Sequence, residues 1–217
     1  MALEVELKFP VSDFEALRSR LREAGAAPVS RVFERNAVFD DAERRLKTAS
    51  TLLRLRTERK SVLTLKRPPD KEGDGVKVFE ESETEVADPQ AARAILEGLG
   101  YREAFAYEKL RETWRFGGCA VCLDRLPFGR FVEIEGEREA IFRTARELGL
   151  DLDSATTETY HALNRQAREQ DGGKPSESFV FDPEQRARLQ AAGAGDLAPP
   201  STGNENGTIL GKIKGNQ

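Results

Sequence analysis

Near the start of the chain stands Glu4-Val5-Glu6-Leu7-Lys8, where charged and apolar side chains alternate without a break. Successive side chains of an extended strand point to opposite faces. Glu4, Glu6 and Lys8 therefore share one face, and Leu3, Val5, Leu7 and Phe9 share the other. The pattern returns downstream. Arg54 and Arg56 stand opposite Leu53 and Leu55, and Lys66 opposite Leu63 and Leu65. Glu81, Glu83 and Glu85 share a face, as do Lys109 and Arg111. Asp124 lies opposite Val121 and Leu123, while Glu133 and Glu135 alternate with Val132 and Ile134. Any half-exposed antiparallel strand alternates in this way, so each strand alone reads as solvent-facing. The sorting by sign, with bases in some strands and acids in others, points instead to charged faces that converge.

The composition agrees with such a plan. The 217 residues are 38% hydrophobic and 33% charged, yet 34 Lys and Arg against 38 Asp and Glu leave a net charge of only −4. A nucleic-acid binder would carry a one-sided basic surplus, and aromatic platforms interleaved with bases are missing, so no nucleic-acid partner is expected. No apolar run approaches the ~20 residues of a membrane span, and Glu4 and Glu6 stand where a signal peptide would need its apolar core. No membrane partner and a cytoplasmic location are the expectation. Two cysteines, Cys119 and Cys122, exclude a disulfide-rich scaffold. Their CxxC spacing lacks the second ligand pair of a metal knuckle, so they read as structural.

Turn and cap signals divide the chain. Pro10 ends the first strand, and Phe14, Leu17, Leu21 and Ala24 recur at helical spacing before Gly25. Strands are expected over 31–39, 52–57, 62–66, 76–86, 107–116, 120–123 and 131–136. Helices are expected from 88 to 99, 137 to 148 and 157 to 168. The segment 67–75 is a charged, turn-rich loop. From about 171 to 217 the chain is rich in Gly, Pro, Ser and Asn, and it reads as a flexible tail with one short helix near 183–192. A domain over 1–170 is the remainder. Its fold class is α+β: an antiparallel sheet curled into a barrel, with apolar strand faces meeting outer helices and charged faces lining the lumen.

Converging carboxylates are hard oxygen ligands suited to Mg²⁺ or Mn²⁺, which keep waters and bind substrate phosphates. Arg and Lys supply the phosphate contacts. Phosphoryl and nucleotidyl transfer rest on positioning and charge stabilisation and need no Ser, Cys or His nucleophile. The lone His161, beside Tyr160, reads as peripheral, and Trp114 and Phe116 as outer-face packing.

Glu4-Val5-Glu6-Leu7-Lys8 resembles the ExExK signature of the CYTH family, the triphosphate tunnel metalloenzymes. The resemblance continues in order through Val38-Phe39-Asp40, Leu53-Arg54-Leu55-Arg56, Leu63-Thr64-Leu65-Lys66 and Glu81-Ser82-Glu83. Glu108-Lys109-Leu110-Arg111, Cys122-Leu123-Asp124, the run Gly129 to Gly136 and Thr159-Tyr160 complete it, over about residues 1–165. It implies an eight-stranded tunnel that binds a triphosphate with Mg²⁺ or Mn²⁺. Carried over by position, Glu4, Glu6, Asp124, Glu133 and Glu135 are the metal-side carboxylates, supported by Glu81 and Glu83. Lys8, Arg54, Arg56, Lys66, Lys109 and Arg111 grip the phosphates, and Glu4, Glu6, Lys8, Arg56, Lys109 and Asp124 form the catalytic set. Phe79 stands where many members carry an Arg. The bacterial class IV adenylyl cyclase-like branch is the most similar, which implies conversion of ATP to cyclic AMP and pyrophosphate. A triphosphatase acting on tripolyphosphate or thiamine triphosphate is the alternative, and a non-catalytic polyphosphate-binding module the third reading.

Overall fold

Ala2–Pro10 (β1) is the first of eight strands in the computed structural model of the chain, which describes residues 2–69 and 75–193. Ala27–Asp40 (β2), Leu52–Thr57 (β3), Ser61–Arg67 (β4) and Lys77–Val86 (β5) follow. Arg102–Phe116 (β6), Cys119–Leu126 (β7) and Gly129–Glu135 (β8) complete the set. They close into an antiparallel barrel in the order β1-β5-β4-β3-β2-β6-β7-β8, with β8 pairing back onto β1. The α+β barrel expected from the alternation is the fold observed. Gly117 and Gly118, both at positive φ, make the tight turn between β6 and β7, where a Cβ on Gly117 would lie 2.4 Å from the Thr144 hydroxyl oxygen.

The apolar strand faces look outward, onto helices. Glu15–Glu23 (α1) buries Leu17 and Leu21, and Arg138–Glu147 (α4) buries Ile141 and Ala145. These meet Leu7, Phe9, Trp114, Val121, Leu123, Val132 and Ile134 in the largest core cluster. The single turn Arg45–Thr48 (α2) lies in the β2–β3 connection. Pro89–Gly98 (α3) starts at Asp88, whose carboxylate accepts from the amides of Gln90 and Ala91, and its Leu96 covers Phe39, Leu53 and Leu55. Tyr160–Gln170 (α5) carries Tyr160 into a third cluster, with Val38, Tyr107, Leu126, Phe131 and Phe179. Among the described residues no helix is long and apolar enough to cross a membrane.

The expectation of a flexible segment from residue 171 fails over 171–193. Phe179 and Phe181 are buried, and Pro183–Gly193 (α6) packs Leu189 against Phe33 and Leu110. The cause is an open sheet edge. β7 pairs with β6 only from Leu110 onward, which leaves earlier β6 groups unpartnered on that side. Phe179 fills the gap: its N–H donates to Ala106 O at 3.2 Å, and its carbonyl accepts from Glu108 N at 3.0 Å. Glu108, buried on the outer face, accepts from Phe181 N at 3.1 Å and from Arg186 Nε at 3.0 Å. The remaining tail, 194–217, and the loop residues 70–74 lie outside the described residues. Phe179→Ala is expected to lower stability by about 3–5 kcal/mol, read as a shift in the urea midpoint. An unmoved midpoint would restore the flexible-tail reading.

Candidate metal and phosphate site

Barrel closure sets Glu6 of β1 opposite Glu135 of β8 and Lys8 opposite Glu133, all facing the lumen. Carboxylate oxygens of Glu4, Glu6 and Glu135 lie within 4.8 Å of one another. Two oxygens each ~2.1 Å from one Mg²⁺ are at most ~4.2 Å apart, so this hard-oxygen donor set fits the expected ion with a small inward adjustment. Gathering acids has an electrostatic cost. Burial and then the neighbouring Glu133 raise the Glu6 carboxyl, and burial, with Glu133 beside it, takes Glu135 to about 8. Glu4 is held low despite its burial because Lys66 ion-pairs with it.

The remaining expected acids are engaged differently. Asp124 is fully buried: Arg111 Nε and Nη2 grip its two oxygens at 2.7 and 2.6 Å, Lys109 Nζ donates at 3.2 Å, and Tyr160 Oη at 2.9 Å. Glu133 lies 3.1 Å from Lys8 Nζ and also pairs with Arg111, so its carboxyl sits well below the ordinary range despite its burial. Glu81 is 3.5 Å from Lys66; burial and the nearby Glu4 and Glu83 take it to about 7. Glu83 accepts from Thr64 Oγ1 at 2.6 Å and from Arg54 at 3.4 Å. The seven expected carboxylates thus comprise one compact trio, whose members also pair with Lys66, Lys8 and Arg111, and four acids held by cations and hydroxyls outside it.

All six expected phosphate cations face the same lumen. Arg54 donates to Tyr107 Oη at 3.1 Å and to Thr64 Oγ1 at 3.2 Å, which fixes its guanidinium on the lumen wall. Lys8, Arg54, Arg56, Lys66, Lys109 and Arg111 line one cavity of about 910 Å³ together with Glu4, Glu6 and Glu135. Phe79, Phe105, Tyr107 and His161 line the same cavity, as do Lys47, Lys77 and Arg165.

Three lumen groups escaped the sequence reading. Glu34 is buried amid the cations, 3.6 Å from Lys109 and 3.9 Å from Arg111. They and Arg56 and Arg54 hold its carboxyl at about 2 against the opposing effect of burial. Alternation with Asn36 and Val38 was its available signal. Lys77 sits two residues before Phe79 on the same strand face, its ammonium 5.0 Å from that ring's centroid, so a cation stands beside Phe79. Burial, with Lys8 nearby, lowers Lys77 to about 8. His161, expected to be peripheral, lines the cavity with its ring 4.6 Å from Phe105, 5.2 Å from Tyr107 and 5.3 Å from Phe179.

Burial among these rings lowers His161 from 6.5 to about 4. Its neutral form belongs to the folded state, so its contribution is complete above pH 6.5 and is lost as the pH falls toward 4. Wild-type protein is therefore expected to lose roughly 2–3 kcal/mol more than His161→Phe over that window, measured as urea midpoints at stepped pH. Parallel acid limbs in the two proteins would contradict this placement.

Comparison with known proteins agrees with the geometry. The family model for the CYTH domain matches residues 2–160. A protein of Methanocaldococcus jannaschii, provisionally named an adenylate cyclase, is 25% identical over 134 residues, covering 61% of this chain and 76% of its own length. A Vibrio parahaemolyticus structure, also named provisionally as an adenylate cyclase, superposes with TM-score 0.67 at 21% identity, covering 75% of this chain and 97% of that one. A Hippeastrum structure, described as a provisional adenylyl cyclase with a dominant triphosphatase activity, gives TM-score 0.57 at 22% identity, covering 82% and 99%. With its ExExK strand, its closed eight-stranded tunnel and a family match over most of its length, the chain belongs to the CYTH domain family.

Proposed function

We propose that the protein is a divalent-metal-dependent enzyme acting on a triphosphate, and that its reaction is the cyclisation of ATP to cyclic AMP and pyrophosphate. The observation that carries the reading is the presence, inside one cavity, of the Glu4–Glu6–Glu135 trio and a set of Lys and Arg side chains, with aromatic side chains lining the same cavity. A tripolyphosphate would engage only the charged part, whereas the Phe79–Phe105–Tyr107–His161 stretch suits a ring attached to it.

Glu4, Glu6 and Glu135 would hold Mg²⁺ or Mn²⁺, which supplies charge neutralisation at the phosphates and activates the attacking oxygen. Arg54, Arg56, Lys109 and Arg111 bind and orient the β- and γ-phosphates. Their charge stabilises the pyrophosphate that leaves as the ribose 3′ oxygen forms its bond to the α-phosphorus. Lys8 and Lys66, placed between the acids and the bases, bridge the two walls. Glu34 offsets repulsion among the four grouped cations when no phosphate is present. Asp124, chelated by Arg111 and bonded to Tyr160, keeps that arginine directed into the lumen.

A second reading keeps the same machinery with water as the nucleophile, making the protein a triphosphatase. The activity described for the Hippeastrum structure supports it. The separating experiment offers purified protein ATP, tripolyphosphate and thiamine triphosphate, each with Mg²⁺ or Mn²⁺. Cyclic AMP from ATP is expected; orthophosphate without cyclic product would establish the second reading. Glu4→Gln and Glu6→Gln are each expected to cut turnover by more than ~100-fold, beyond the ~10–100-fold typical of outer partners, with the thermal unfolding profile preserved. Full activity in both variants would remove the metal assignment. Arg56→Ala is expected to raise KM by at least ~10-fold, as for a lost charge-assisted contact of ~1.5 kcal/mol or more.

A further inference from the structure

The stretch Pro175 to Phe179 lies outside the family-matched residues 2–160, yet Pro175, Ser176 and Glu177 line the cavity at the end where α5 begins. It is fixed on both sides. Asn164 Nδ2 donates to Ser176 O at 2.9 Å, Ala106 N to Ser178 Oγ at 3.1 Å, and Phe179 stacks on Tyr107 with centroids 5.0 Å apart. From this anchored stretch Glu177 reaches across the mouth to the β2–β3 connection, where it pairs with Arg44 Nη2 at 2.6 Å and Lys47 Nζ at 2.5 Å.

Those two cations are themselves held in place. Asp40 at the end of β2 accepts from Leu46 N and Lys47 N, each at 3.0 Å, and lies 3.4 Å from Arg44. An ion pair as exposed as Glu177–Lys47 adds little stability. Its consequence is for the charge that a ligand meets. Lys8, Arg54, Arg56, Lys66, Lys109 and Arg111 line the cavity as phosphate partners, and Lys47, with Arg44 beside it on Glu177, adds positive charge at this mouth. Glu177, with Asp40 beside Arg44, offsets those two charges and sets a carboxylate where a further phosphate would emerge.

We infer that Glu177 is a specificity-determining residue that ends the phosphate track at this mouth, so that the tunnel takes substrates whose projecting end is uncharged or cationic and refuses linear polyphosphates longer than three units. The inference rests on the triphosphate reading above and adds the class of group attached to the triphosphate. A sugar and base carry no charge against Glu177, whereas each extra phosphate does. The lysine and arginine partners and Asp40 remain when Glu177 is neutralised, so its removal leaves one more positive charge at the rim.

The test is calorimetric titration with tripolyphosphate, tetrapolyphosphate and longer chains, in chelator so that no metal-supported turnover competes. In the wild type, affinity is expected to fall from tripolyphosphate to the longer chains. Glu177→Gln, which keeps the shape and removes the charge, is expected to shift the long-to-short affinity ratio by about tenfold toward the long chains, the effect of one charge at close range. Phe179 and the backbone contacts hold the stretch without Glu177, so an unchanged melting temperature accompanies the shift. The same ratio in both proteins overturns the inference while leaving the triphosphate reading standing. Failure of tripolyphosphate itself to bind, both in chelator and with Mg²⁺ or Mn²⁺ restored, overturns that reading, and the inference with it.

Discussion

The bidentate grip of Arg111 on Asp124 illustrates the constraint on which the rest of the structure depends: a lumen lined with charge must be close to neutral within a few ångströms. An ion moved out of water without a partner costs several kcal/mol, and many such ions would open the barrel. Lys8 answers Glu6 and Glu133, Lys66 answers Glu4 and Glu81, and Arg54 answers Glu83. Glu34 answers the basic wall from within. The near-balance of 34 bases and 38 acids in the whole chain mirrors this local pairing. Because polar side chains fill the inside, the apolar faces have only the outside left, which is why helices α1, α3 and α4 pack around the sheet rather than within it.

Such a lumen is also primed to exchange partners. The Glu4–Glu6–Glu135 trio is gathered in a buried wall, and burial first, then the neighbouring Glu133, raises the carboxyls of Glu6 and Glu135. Across the cavity, Arg54, Lys109 and Arg111 are oriented by Tyr107, Thr64 and Asp124 before any ligand arrives. Preoriented cations lose less freedom on binding phosphate than free side chains would. The docked stretch after α5 contributes to this orientation, since Phe179 stacks on the tyrosine that receives a hydrogen bond from Arg54.

Much of this was legible before the fold was known. Strict alternation assigned Glu4, Glu6, Lys8, Arg54, Arg56, Lys66, Lys109 and Arg111 to one kind of face, and the lumen holds them all. Glu34 went unseen because β2 offers little contrast there, with Arg35 and Asn36 beside it. His161 looked peripheral because a helical position alone does not reveal that the helix start covers the tunnel mouth. The tail was misjudged over 171–193 for a related reason. Its apolar residues follow no period because Phe179 docks on the open edge of β6 and into the Val38–Tyr107 cluster, while Phe181 and Leu189 join Phe33 and Leu110 in another.

Period-two alternation is a local property of the backbone, so the sequence by itself determined which side chains share a face and that the apolar faces need outer helices. Partnership across the lumen is not local. Glu133 and Glu135 stand two residues apart on the same face of β8, yet one pairs with Lys8 while the other joins Glu4 and Glu6. That division follows from the register in which β8 meets β1 when the barrel closes, a contact between the two ends of the sheet. Tertiary structure alone decided it, because only closure sets the distances on which charge pairing depends.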